Sequence, residues 1–155
     1  MDARVAGLKT LKDCELFAKN VLERNRPDLA QKAHKRTLEL RAENYGAKSQ
    51  AERDCVVAVY AYEEVLAAQK GRKTRASKMW YLIKSRGAVS AIENAVNSKV
   101  NTTDYAALRA IGLQDCAFEA VVLRYPDLFL PDTVLLSAGR FDKWKRAQDA
   151  SQHPA

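Results

Sequence analysis

Seven cations and no acid lie between Lys70 and Arg86 of this 155-residue chain: Lys70, Arg72, Lys73, Arg75, Lys78, Lys84 and Arg86. Residues 1–64 hold twelve Lys or Arg against eleven Asp or Glu, and residues 93–155 hold seven against eight, so those two parts cancel. The short piece between them alone supplies the formal charge of +7. Cations spread over a surface act mainly on near neighbours, because the Debye length is ~8 Å at physiological salt. Cations gathered in one loop and helix sum to a field that draws polyanions, and a phosphate backbone rewards them further by releasing condensed counterions. Gly71 lets the loop approach a backbone closely. Thr74 and Ser77 add small hydroxyls near a helix start, where unbonded amides also favour anions. Trp80 and Tyr81 follow, able either to stack on a base or to anchor the helix in the core, and the core is the expectation for Trp80.

A second basic group, Arg140, Lys143, Lys145 and Arg146, interleaves Phe141 and Trp144. The two aromatics, at i and i+3, are expected to pin a terminal helix, with Lys143 and Arg146 extending a binding surface. Lys32, His34, Lys35 and Arg36 form a third group, expected to be a solvated helix face.

The residues that enzymes use for catalysis are sparse. The two histidines are His34, among cations, and His153, in the tail. A Ser–His–acid or Cys–His site would have to use one of them. The chain has no GxGxxG, P-loop or HExxH pattern, and nothing in it calls for a cofactor. One carboxylate arrangement has chemical content. If Asp115 and Glu119 share a helix face at i and i+4, and that face meets Glu63 and Glu64, the group would suit Mg²⁺ and phosphodiester hydrolysis. The structural alternative makes Glu63 and Glu64 solvated, Asp115 a cap, and Glu119 a buried acid that needs a partner, with Arg124 or Tyr62 in reach. Cys14, Cys55 and Cys116 are an odd number at wide spacing, which points to reduced thiols rather than a disulfide framework or zinc knuckle.

The elements that must position these groups are helical. The length suits one domain, expected over residues 1–150 with 151–155 a frayed tail. Thr10 and Asp13 start a helix carrying Leu11, Leu16, Phe17, Val21 and Leu22 at helical spacing. Pro27 starts the next, which Gly46 stops. Ser49 and Glu52 form a capping box ahead of Cys55–Tyr62, eight apolar or aromatic residues in a row. That run has strand propensity, but its cap and its continuation through Glu63 to Ala68 predict a buried helix ending at Gly71. Helices are expected over 76–86 and 89–96, from a Thr103 cap to Ile111, over 115–124, and from Pro131 or Asp132 toward Ala147. The fold class is therefore all-α, a bundle of seven or eight short helices.

The unit Ala76–Arg86, Gly87, Val89–Val96 has the silhouette of a helix–turn–helix, with glycine at the turn. It departs from that pattern at Glu93, where an apolar residue is usual, and at Ile83, where a small one is usual. The expected contact is thus the basic loop on phosphates, not a recognition helix on bases. The partner expected is DNA or RNA, with an acidic protein face as the alternative and a metal-dependent nuclease third. No stretch approaches the ~18 apolar residues of a membrane span, and the first ten residues lack a signal peptide's apolar core, so a cytoplasmic protein is expected.

Overall fold

Ser49 opens the central helix of the molecule. Its hydroxyl accepts a hydrogen bond from the Glu52 amide at 3.0 Å, and the Glu52 carboxylate returns to the Lys48 amide at 3.3 Å. The computed structural model describes residues 2–98 and 103–152 of the chain. Ahead of this cap lie α1 (Ala3–Ala6), α2 (Leu11–Glu23) and α3 (Pro27–Tyr45). Then follow α4 (Gln50–Lys70), α5 (Ser77–Arg86), α6 (Ala88–Asn97), α7 (Tyr105–Ala110), α8 (Phe118–Arg124) and α9 (Pro131–Gln152). Single 3-10 turns over Gln114–Cys116 and Pro126–Leu128 bracket α8. The described residues contain no strand, so the fold is an all-α bundle. None of their helices is long and apolar enough to cross a membrane.

The apolar run resolves as helix. Within α4 the side chains of Cys55, Val56, Val57, Ala58, Val59 and Ala61 are buried, while Tyr60 and Tyr62 are half-buried. Helices α6 and α8 pack on α4 and on each other, bringing Ile92, Val96, Phe118, Val121 and Val122 into the same core. Each such side chain is worth ~1.5–3 kcal/mol when fully buried. Most of the apolar side chains of α4 and α8 are therefore buried inside the molecule. Burial also silences two thiols: it pushes Cys55 up to about 12 and Cys116 up to about 11. All three cysteines are free and buried.

Several expectations change. Leu11, Leu16 and Leu22 are exposed, because α2 packs on α3 alone and buries only Cys14 and Val21 fully. The helix expected over 115–124 is broken: Ala117 is extended, and α8 starts one residue later. Thr103 does not cap α7; Asp104 does, accepting from the Ala107 amide at 3.0 Å. The third basic group is solvated only in part: Lys32 is exposed, while its neighbours make contacts within the fold. Arg36 donates to the Leu8 carbonyl at 3.0 Å and to Glu39 at 3.1 Å, while His34 lies 3.7 Å from Glu64 and Lys35 3.9 Å from Asp115. The His34 contact holds the Glu64 carboxyl below its ordinary range. That row of α3 thus contacts the segment after α1, helix α4 and the 3-10 turn at Asp115. Helix α9 ends at Gln152, and residues 153–155, with His153, lie outside the described residues.

Candidate nucleic-acid interface

The loop between α4 and α5 is built from its ends. Gly71, at φ 68°, takes the left-handed conformation that closes α4 and turns the chain out, at little cost without a Cβ. Thr74 donates its hydroxyl to the Arg72 carbonyl at 3.0 Å, which folds the loop on itself. At the far end Glu63 reaches across from α4. Its Oε2 accepts from the Ala76 amide at 2.7 Å and from Trp80 Nε1 at 2.8 Å. One carboxylate therefore sets both the start of α5 and the orientation of its indole. The expectation that Glu63 is solvated fails for this reason. Glu63→Ala should lower stability by ~2 kcal/mol, since it orphans two part-buried donors; a urea unfolding midpoint unchanged from wild type would contradict this assignment.

Trp80 is core. It sits beside Tyr60 and Tyr45, with ring centroids 4.9 and 5.2 Å away. Arg75 lies over its ring at 5.4 Å, and Arg41 of α3 lies over Tyr60 at 4.1 Å. Two guanidinium groups thus flank a cluster of three aromatic rings. This places Arg41, which the sequence did not single out, with the basic loop. Its signal was unreadable along the chain, because Arg41 joins this cluster through Tyr60 of α4, and α3 meets α5 through Tyr45 and Trp80, residues far apart in the sequence.

Lys70, Arg72, Lys73, Arg75, Lys78, Lys84 and Arg86 are all exposed, and none is within ion-pair distance of an acid among the described residues. Met79, Trp80 and Ile83 face inward on α5, which turns Ser77, Lys78, Tyr81 and Lys84 outward. No side chain of the first turn caps α5. Arg86 stands apart from the rest. It lines a cleft together with Glu93 and Asp127.

The second basic group divides. Arg140 donates to the Val96 carbonyl and to Glu119, both at 2.9 Å. Glu119 is 1% exposed and also accepts from the Thr103 hydroxyl at 2.7 Å. Its cationic partner among the described residues is Arg140, from α9, while Arg124 donates to the Asp115 carbonyl. Lys143, Lys145 and Arg146 remain exposed. Phe141 and Trp144 pin α9, as expected: Trp144 stacks on Tyr105 at 4.6 Å with the rings 2° from parallel, and Phe141 meets both edge-on.

The carboxylate arrangement also comes apart. Asp115 is exposed in the 3-10 turn, and Glu119 is buried in α8 beyond the break at Ala117, so they share no helix face. Glu63 is held by Ala76 and Trp80, and Glu64 by His34. The described residues include no cluster of three acid, histidine or cysteine side chains spaced for a metal ion. The Glu93 departure from the helix–turn–helix pattern has a structural cause: its Oε1 accepts from the Leu130 amide at 3.1 Å, at the start of α9. Helix α6 carries no cation, and its Ala88, Ala91, Ile92, Ala95 and Val96 are buried. A separate cleft of about 740 Å³ lies between α4, α7 and α9, walled by Tyr62, Leu66, Tyr105, Phe118 and Trp144, and none of the seven cations lines it. The chain matches no protein-family model, no curated protein and no solved structure.

Proposed function

We propose that this protein binds nucleic acid through phosphate contacts from Lys70, Arg72, Lys73, Arg75 and Lys78, with Lys84 supplying longer-range attraction. The observation that carries this reading is that these cations are exposed on one loop and one helix and unpaired with any acid among the described residues. A solvated, unpaired cation keeps its full charge for a partner, whereas Arg140 and Arg36 are already neutralised inside the fold. Thr74 and Ser77 stand beside the cations as further donors to phosphate oxygens, although the Thr74 hydroxyl proton is engaged within the loop. Lys143, Lys145 and Arg146 form a minor, separate basic patch.

The test is a salt titration of binding to generic DNA and RNA. Five phosphate contacts give a slope of log K against log salt of about −3.5 to −4.5, hence roughly a 10²-fold loss between 50 and 200 mM. Absence of binding at low salt, or binding that ignores salt, would sink the proposal. The rival reading, an interaction module for a protein with an acidic face, would use the same exposed cations. Capture of one acidic protein without nucleic acid is the outcome that favours it.

A further inference from the structure

We infer that the outer face of α5 takes single-stranded nucleic acid, with one unpaired base stacked on the ring of Tyr81. This rests on the phosphate-binding reading above and adds to it the form of the strand.

Tyr81 is 70% exposed, more than any other Phe, Tyr or Trp among the described residues. Its ring meets no other aromatic ring there, and its hydroxyl makes no hydrogen bond. The adjacent Trp80 shows the opposite arrangement, buried and bonded to Glu63. An isolated exposed aromatic is ordinary on a protein surface. The neighbours of this one are not neutral. At 100° per residue, Lys78 and Lys84 lie about 60° to either side of Tyr81 and one turn before and after it. The outer face of α5 therefore presents a cation, a flat ring and a second cation in succession. The loop cations Arg72, Lys73 and Arg75 lead into the same helix end, and Glu63 of α4 is engaged by the Ala76 amide and the Trp80 indole.

A nucleotide offers two recognisable parts, a charged phosphate and a planar base. Cations alone cannot tell a single strand from a duplex, since both display phosphates. A ring can. In a duplex the base faces are covered by their neighbours, and exposing one costs a few kcal/mol. In a single strand the face is available, and stacking on an aromatic side chain is indifferent to which base it is. The cations hold the strand, and Tyr81 favours the unpaired form.

The experiment compares a fluorescein-labelled oligothymidylate of about 12 nucleotides with a duplex of the same length by anisotropy at low salt, using the full chain. Wild type should prefer the single strand. Tyr81→Ala should weaken it about tenfold, ~1.4 kcal/mol, and leave duplex affinity within about twofold. Tyr81→Phe should keep the wild-type preference, because the ring and not the hydroxyl makes the contact. The side chain is exposed, so unchanged thermal unfolding of each variant confirms that the fold is intact. If wild type and Tyr81→Ala bind both probes alike, the stacking inference falls and the phosphate reading stands. If neither probe binds wild type, both fall; binding of polyglutamate instead would assign the face to an acidic protein.

Discussion

Arg140→Met should destabilise the protein by ~3–5 kcal/mol, the largest effect expected from any single substitution discussed above. Glu119 is 1% exposed, and among the described residues its carboxylate has two partners, Arg140 and Thr103. Removing the guanidinium leaves a buried charge without that counter-ion on α8, whose Phe118, Val121 and Val122 belong to the core. The Val96 carbonyl loses its donor at the same time. A loss of that size is a large fraction of a typical domain's 5–15 kcal/mol. The measurement is urea unfolding at neutral pH followed by far-UV circular dichroism. The double variant Arg140→Met with Glu119→Leu separates causes. With both charges gone, most of the stability should return, since a buried ion pair contributes little net over a well-packed apolar pair. The Thr103 hydroxyl, half-exposed, can turn to water. A single variant within about 1 kcal/mol of wild type would show that the carboxylate finds another partner.

The second large effect is on binding. Changing Arg72, Lys73 and Arg75 together to glutamate replaces three attractive charges with three repulsive ones. Nucleic-acid affinity at low salt should drop by at least ~10²-fold, and the salt slope should shrink by ~2–3 as phosphate contacts are lost. The fold should survive, because all three side chains are exposed and none holds an ion pair among the described residues. The contact of Arg75 over Trp80 is the one internal interaction removed, worth ~0.5–1 kcal/mol at an exposed site. A parallel reversal of Lys143, Lys145 and Arg146, the minor patch, should have a much smaller effect. Equal losses from both triples would mean that net charge alone governs binding, and the assignment to the loop would be overturned.

These two predictions concern two arginines of similar appearance in the sequence. Arg75 and Arg140 each belong to a basic run beside an aromatic residue, and nothing local distinguishes them. The tertiary structure gives one to solvent and the other to Glu119, 21 residues away in the chain. The same division separates Trp80 from Tyr81, adjacent in sequence and opposite in exposure. The helical phase of α5 was legible from Met79, Trp80 and Ile83, but which side met the core depended on Tyr60 and Glu63 in α4.

What the chain determined by itself is local and periodic. The Thr10 and Ser49 caps, the Gly46 and Gly71 stops, the proline at the start of α3 and the stop before Pro126 all act over a few residues, so the helices they bound were readable in order. The run of seven cations without an acid was readable for the same reason, since formal charge needs only counting. What the tertiary structure decided is every question of pairing across the chain: Glu119 with Arg140, Glu63 with Trp80, Glu93 with Leu130, and Asp115 apart from Glu119. A carboxylate in a sequence carries the same charge whether it meets water, a metal or an arginine. Its environment is set by helices brought together through burial of apolar surface, which is non-directional and leaves no local sign of which side chains will meet.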